Sequence, residues 1–367
     1  MNDKPSSSDS PRGVFLVSYA RTTSNLLCKI LALDEQPRAF SNPSSGYYFR
    51  PAFLPHWVTG KTYRPIGEIS AKETQERQEC FQKSYEDLER DARSAREQGK
   101  IHFFKEHALW ISNPAAIAEW MGEPNLHPPS VFRVHPVGDS GLEKAPSSTW
   151  SPENQTVMSD QVLQKWRLVF LVRHPALAFP SYYRASLAVR SHQALHDSEM
   201  EPLLRASLTL RWSRFLYDWA CKTDPHPLML DADDVILNKA ALAQFCTDIG
   251  LDASRLRFQW ESTADTGAQE GNPPSKQEQQ TKDEDEDKDK FRTSFHKIFG
   301  STLLKSSGVM KTKSQSDVDI ATEAAKWKSE FGVDMADLME KCVRDAMPDY
   351  EYLYAKRSYA NLAGENV

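Results

Sequence analysis

The chain has few cysteines, and no two of them have the spacing of a metal-binding pair. Its five cysteines, at positions 28, 80, 221, 246 and 342, are an odd number, and none forms a C-x-x-C motif with another. This distribution excludes a zinc-ribbon framework and is typical of reduced thiols in a cytoplasmic protein. We therefore expect no metal in this protein.

Long apolar runs and a leader segment are also missing. The first 13 residues are polar and rich in serine, unlike a secretory signal. The longest apolar run is far shorter than the roughly 20 residues that a membrane-spanning helix needs. The sequence therefore predicts a cytoplasmic protein with no membrane partner.

A strongly basic surface is absent as well. The formal net charge is -6, and residues 262–290 alone contain nine acidic and four basic residues, so the remainder is close to neutral. A basic patch is the usual mark of a nucleic-acid-binding domain, and we expect no nucleic-acid partner. The acidic, glutamine-rich composition of residues 262–290 predicts a disordered insertion.

What the chain does contain is an alternation of predicted strands and helices. Apolar runs predict buried strands over residues 13–18, 101–104, 168–172 and 228–230. Helical patterns cover residues 24–33, 72–98, 203–221, 239–249 and 317–346, with a further helix beginning near Ala176. The alternation predicts an α/β fold, a three-layer doubly wound parallel sheet. We expect a disordered tail over residues 1–12 and one domain over 13–360, with a long loop at 122–156; the sequence indicates no oligomeric state.

Polar side chains follow the first predicted strand, at the point where a helix begins. They are Arg21, Thr22, Thr23, Ser24 and Asn25. Backbone N–H groups at a helix start, with hydroxyls and a guanidinium, suit a tetrahedral anion. The GxxxxGK[ST] pattern of ATP-hydrolysing enzymes is absent, which argues against a standard ATPase. The alternative is a capped helix with an arginine on the surface.

A second anion-binding pattern follows the strand at residues 168–172. Arg173 comes directly after this strand, and Ser181 follows eight residues later. Ligands of open parallel sheets bind beyond the carboxyl ends of the strands, so this pair is expected at the same edge as the first turn. Helix capping and surface charge are again the alternative.

Three other groups of residues are open to two interpretations. His107, close to Lys105 at a strand end, is a candidate base or a structural histidine. The acidic residues Asp231, Asp233 and Asp234 are favoured as helix caps over metal ligands. The aromatic run at residues 47–49 suits an acceptor pocket or the core equally well.

Together these segments resemble the sulfotransferase family. The first turn is similar to the family's 5′-phosphosulfate loop, in the PRTGS form of bacterial and fungal members. Arg173 and Ser181, with the tyrosines that follow, resemble its 3′-phosphate motif, and Lys105 and His107 resemble the strand end that carries its catalytic lysine and histidine. Residues 230–235 and 348–353 resemble a later strand with its acidic turn and the C-terminal end of the family's fold. The match is thus spread over residues 13–355, apart from the long loop and the acidic insertion.

The resemblance implies a fold like that of P-loop NTPases and a donor, 3′-phosphoadenosine-5′-phosphosulfate, as co-substrate. It implies that a sulfonyl group moves to the hydroxyl of a small-molecule acceptor. His107 would be the general base, with Lys105 and Arg21 neutralising charge on the reacting groups. The implied donor-binding residues are Arg21, Thr22, Thr23, Ser24, Asn25, Arg173 and Ser181.

The sequence departs from the family pattern at two places. Thr23 stands where the family loop has glycine, and its Cβ is expected to crowd the phosphate or to forbid a positive φ. The basic glycine-containing segment near the C-terminus has Lys305 as its nearest counterpart, with Lys311 and Lys313 as alternatives. A catalytically degenerate family member therefore stays open as a second hypothesis. Another P-loop nucleotide-binding enzyme is the third, against which the missing Walker lysine and glycine argue.

Overall fold

The computed structural model describes residues 12–58, 69–122, 128–136, 148–190, 197–223, 227–260, 307–310 and 318–362. Three features of the sequence lie outside these ranges: the predicted tail apart from Arg12, the acidic insertion at 262–290, and the basic residues Lys305, Lys311 and Lys313.

Five strands in the described part of the chain form one parallel sheet. They are β1 (Gly13–Ser18), β2 (Ala39–Phe40), β3 (Ile101–His107), β4 (Trp166–Val172) and β5 (Leu228–Asp231). Their order across the sheet is β2-β3-β1-β4-β5, and every neighbouring pair is parallel. The predicted α/β class with a parallel sheet is confirmed.

Helices occupy most of the described residues between and after the strands. They are α1 (Ser24–Leu31), α2 (Arg50–Val58), α3 (Ala71–Glu97), α4 (Ala108–Ile111), α5 (Pro114–Trp120), α6 (Asp160–Leu163), α7 (Pro175–Arg190), α8 (Asp197–Ser207), α9 (Arg211–Thr223), α10 (Ala232–Leu237), α11 (Lys239–Asp248), α12 (Ile320–Phe331) and α13 (Val333–Tyr354).

The sheet has a hydrophobic core on each face. Successive side chains of a strand point to opposite faces. Val14 and Leu16 of β1 therefore pack in one core, with apolar residues of α1 and α11. Phe15 and Val17 pack in the other, with residues of α3, α7, α9 and α13. Helices on both faces explain why the strands are continuous apolar runs.

The strand order creates a switch point beside β1. From β1 the chain goes first to β2 and β3 on one side and then crosses to β4 and β5 on the other. Ser18 at the end of β1 lies in register with His107 of β3 and with Leu171 of β4. Ligands bind at such a switch point in open α/β sheets. The three central strands thus deliver their C-terminal residues to one place.

Three predicted boundaries differ in the structure. The single helix predicted over residues 203–221 is wrong, because the chain forms α8 and α9 with a break between them. At that break the Thr209 hydroxyl accepts a hydrogen bond from the Arg211 N–H (3.1 Å) and caps the new helix. Helix α1 ends at Leu31, two residues early, since Ala32 has a left-handed φ of 47°. Strand β3 continues through His107.

The described parts of the long loop at 122–156 pack against the core. A short 3₁₀ helix covers Pro129–Phe132, and the side chains of Phe132 and Val134 are buried. The Val134 N–H donates to the carbonyl of Val157 (2.9 Å). Phe132 and Val134 therefore belong to the hydrophobic core that α3 covers, on the same face of the sheet as Phe15 and Val17.

Candidate active site

Lys105 and His107 lie on the same face of β3, because they are two residues apart in a strand. The Lys105 side chain is only 3% exposed, and its Nζ donates to Oδ1 of Asn25 in the first turn of α1 (2.5 Å). His107 is 9% exposed and ends the strand. The fold thus joins two groups of residues that the sequence predicted separately.

The His107 ring has a defined orientation. Its Nδ1 lies 3.1 Å from the hydroxyl of Ser18. The Ser18 hydroxyl itself donates to the carbonyl of Glu106 (3.4 Å). We therefore assign the proton of the neutral ring to Nδ1, which leaves the Nε2 lone pair available to accept another. The rings of Tyr47 and Trp110 flank the imidazole at 5.1 and 4.5 Å.

Burial keeps His107 neutral. Desolvation lowers its pKa from 6.5 to about 3, and the Lys105 ammonium acts in the same direction, whereas the hydrogen bond to Ser18 opposes the shift. A histidine that is neutral across the physiological range has the protonation state that a general base requires.

Glu106 points to the opposite face of β3 and is fully buried. Its carboxyl group accepts hydrogen bonds from the N–H groups of Phe49 (3.0 Å) and His107 (3.3 Å). Desolvation raises its pKa to about 8, although these two hydrogen bonds, Arg50 and Lys105 all favour the charged form. Sequence reasoning gave Glu106 no role; its position between two candidate catalytic residues was the available signal.

The two predicted anion-binding turns meet through an arginine–serine cluster. Arg21 Nε donates to the Ser181 hydroxyl (3.0 Å), and Arg173 Nη1 donates to the carbonyl of Arg21 (3.1 Å). Burial and the neighbouring Arg21 charge lower the pKa of Arg173, with Asp233 and Asp231 acting in the opposite direction. Two guanidinium groups gathered in a largely buried position favour the binding of an anion.

The hydroxyl groups of the first turn do not all face that cluster. Thr22 is buried, and its hydroxyl donates to the carbonyl of Tyr19 (2.7 Å). The Thr23 hydroxyl donates to the carbonyl of Thr22 (2.5 Å). Ser24 is buried at the first position of α1. The two threonine hydroxyls therefore bond backbone carbonyls of the turn itself rather than the cluster, and Ser24 stands closest to the helix N-terminus.

The backbone of this turn is left-handed at two residues. Arg21 and Thr23 both have φ near 68°. The expectation that a Cβ at position 23 would exclude a positive φ is wrong, because Thr23 adopts the conformation that the family's glycine would favour. A β-branched residue in this region is unusual and costs about 1–2 kcal/mol.

We expect Thr23→Gly to stabilise the protein. Glycine removes the free-energy cost of the left-handed backbone, but it also increases the conformational entropy of the unfolded chain. The two effects together should raise the free energy of unfolding by about 0.5–1 kcal/mol. Urea denaturation measures the change. Thr23→Ser is the control, since it keeps a Cβ and should leave the unfolding midpoint nearly unchanged. A midpoint for Thr23→Gly below that of the wild type would contradict the expectation.

The acidic turn after β5 is a helix cap. Asp231 and Asp234 form a capping box at the start of α10, as the favoured interpretation predicted. Across the described residues, no group of three or more His, Cys, Asp or Glu side chains is placed to hold a metal ion. Within those same ranges, no helix combines the length and the apolar character that crossing a membrane requires.

Comparison with known proteins identifies the family. The chain is 35% identical over 365 residues to a protein named "Sulfotransferase ppzF" from Metarhizium majus, an alignment that covers 96% of this chain and 98% of the relative. It is 34% identical over 363 residues to a protein of the same name from Metarhizium rileyi, covering 96% and 97%. The chain belongs to the sulfotransferase family.

Membership in the sulfotransferases confirms the resemblance predicted from the sequence and makes this chain a transferase. Each alignment covers nearly the whole length of this chain and of the relative, rather than one segment. No family model matches the chain, and no solved structure matches it.

Proposed function

We propose that this sulfotransferase moves a sulfonyl group from 3′-phosphoadenosine-5′-phosphosulfate to a hydroxyl of a small-molecule acceptor, with His107 as the general base. The observation that carries the proposal is that the first turn and the start of α1 contact both groups: Arg21 bonds Ser181 and accepts from Arg173, and Asn25 accepts from Lys105. A purely structural role explains this combination of buried charges poorly, because buried charges are costly.

Arg21, Arg173 and Ser181 are the proposed holders of the donor's phosphate groups. Guanidinium groups match the oxygens of a phosphate with several N–H donors at once. Arg21 Nε donates to the Ser181 hydroxyl. Donor binding would replace this hydrogen bond by one to a phosphate oxygen, and the N–H groups at the start of α1 would add to the cradle.

His107 and Lys105 are proposed to act on the reacting atoms. The acceptor oxygen forms a bond to sulfur while the bond from sulfur to the donor's phosphate oxygen breaks. The acceptor proton goes to Nε2 of His107, and Lys105 balances negative charge on the departing oxygen. Such transfers depend mainly on positioning and charge stabilisation.

The low pKa of His107 is compatible with this role. Lys105 contributes to lowering it, so an anionic donor bound beside Lys105 would cancel part of that effect. The pKa of His107 would then rise toward the working pH, where a general base is most effective.

The donor assignment is tested by thermal unfolding with 3′-phosphoadenosine-5′-phosphate, the product form of the donor. A ligand at 100 times its Kd stabilises a protein by about 2.7 kcal/mol, so the Tm of the wild type should rise. Arg173→Ala should abolish the rise.

Arg184→Ala is the matched control for this test. Arg184 lies on α7 three residues after Ser181, but its guanidinium pairs with Glu330 in a half-exposed salt bridge. This variant should keep the full ligand-induced rise in Tm. No rise in the wild type at millimolar ligand would reject the donor assignment. That result would favour a family member that keeps the fold without binding the donor, the hypothesis that Thr23 suggested.

A further inference from the structure

Residues 42–49 form a strap along the edge of β3. The Lys105 N–H donates to the carbonyl of Ser45, and the Tyr47 N–H donates to the carbonyl of Lys105, both at 2.8 Å. Strand β2 pairs only with the first two residues of β3. The strap therefore takes the place of β2 beside the later part of β3. It forms hydrogen bonds with both the N–H and the carbonyl of Lys105, the candidate catalytic lysine.

The strap has an unusual backbone. Three successive residues, Ser45, Gly46 and Tyr47, have φ values of 55°, 130° and 60°. The Asn42 amide holds this conformation, since it accepts from the Gly46 N–H (2.7 Å) and donates to the Gly46 carbonyl (3.0 Å). Positive φ at a residue other than glycine persists only where the surroundings impose it, and such residues cluster at functional sites.

This backbone aims the Tyr47 side chain into the site. The Lys105 Nζ lies 4.7 Å from the centroid of the Tyr47 ring, and the rings of Tyr47 and His107 are 5.1 Å apart. The Tyr47 hydroxyl lies beside the side chain of Ser24, at the start of α1. One side chain thus contacts the candidate lysine, the candidate base and the first anion-binding turn.

We propose that Tyr47 is a positioning residue, whose ring holds the Lys105 ammonium against Asn25 and beside His107. This inference rests on the proposed function. A lysine ammonium is a compact charge at the end of a flexible chain, so its position must be fixed by neighbours. An aromatic face attracts a cation most strongly where water is excluded, and Lys105 is buried. The backbone conformation of the strap keeps the Tyr47 ring in this position beside Lys105.

Chemical labelling of lysines tests the proposal without an acceptor. Acetylation by an N-hydroxysuccinimide ester is followed by mass spectrometry, with the exposed Lys72 as internal reference. Tyr47→Leu should accelerate labelling of Lys105 about tenfold, as expected from the loss of a desolvated cation–π contact. Tyr47→Phe keeps the ring and should label like the wild type. Should Tyr47→Leu not fold, Tyr47→Met takes its place.

Tyr48→Leu is the matched control, from the next position of the strap. The Tyr48 hydroxyl bonds Asp91 and His102, away from Lys105. This variant should lower the Tm at least as much as Tyr47→Leu and leave Lys105 labelling unchanged. Equal acceleration in both leucine variants, or none in Tyr47→Leu, would overturn the proposal.

The affinity for 3′-phosphoadenosine-5′-phosphate separates this proposal from the proposed function. Calorimetric titration should give Tyr47→Leu a Kd within about threefold of the wild type, since Lys105 rather than the arginines loses its support. If the wild type binds no ligand, the donor assignment fails while the labelling result still decides the role of Tyr47. A Kd raised as strongly as in Arg173→Ala would assign Tyr47 to donor binding and overturn the positioning role.

Discussion

Replacing His107 by alanine should lower kcat for sulfonyl transfer by about 10²–10⁴-fold, the usual contribution of a general base. The physical reason is the ring orientation described above, in which Nδ1 bonds the Ser18 hydroxyl and Nε2 is left to take a proton. The measurement is the rate of formation of 3′-phosphoadenosine-5′-phosphate from the donor, on an acceptor found by screening phenols and alcohols with the wild-type protein.

The control for this experiment is His135→Ala. His135 is exposed and its ring lies edge-on to that of Trp150, so its loss should leave kcat unchanged. The pH profile adds a second check. The pKa of His107 lies near 3 in the free protein. Protonation of His107 should therefore decrease kcat/KM only at pH values well below 6.5, the ordinary pKa of histidine. Full activity in His107→Ala would remove His107 from the mechanism.

Replacing Gly46 by alanine should lower the free energy of unfolding by about 3 kcal/mol or more. The steric clash of the new Cβ and the cost of a positive φ in a residue other than glycine both contribute to this loss. A Cβ built on Gly46 lies 2.1 Å from the carbonyl oxygen of Lys105 and 2.4 Å from its nitrogen. Both atoms belong to the backbone of β3, so no side chain can turn aside to relieve the clash. Urea denaturation of the full chain measures the loss.

Gly99→Ala separates the clash from the effect of φ alone. Gly99 also has a positive φ, 66°, but a Cβ there meets nothing within 4 Å. Its replacement should cost only the conformational penalty of about 1–2 kcal/mol. Equal losses in the two variants would show that the close approach of Gly46 to Lys105 is unimportant.

The strands and the polar residues at their carboxyl ends were predictable from the sequence. Continuous apolar runs mark β1, β3, β4 and β5 because both faces of a parallel sheet are buried. The carboxyl ends of parallel strands share one edge, which is why Arg21, Lys105 and Arg173 were expected near one another. Helix ends were less predictable: the break between α8 and α9, where the Thr209 hydroxyl accepts from the Arg211 N–H, lies inside an otherwise helical pattern.

The side-chain pairings of the site were not predictable from spacing. The contact of Arg21 with Ser181 and that of Lys105 with Asn25 each depend on how a helix docks on the sheet. Tyr47 entered the sequence interpretation only as an aromatic residue for the core or for an acceptor pocket. Its position over Lys105 follows from three positive φ values, which are held by the Asn42 amide and by hydrogen bonds to the backbone of Lys105. The bonds to Lys105 join distant parts of the chain and cannot be predicted from local propensity.

The strand order has a consequence for how the protein folds. The register that joins Ser18 to His107 links residues 89 positions apart, and the contact of Arg21 with Ser181 links residues 160 positions apart. Closing loops of this length costs entropy before the contacts form, so parallel pairing of distant segments is slow. The site has no local precursor that forms ahead of the sheet. Recovery of ligand binding during refolding should therefore coincide with the docking of β3 and β4 on β1.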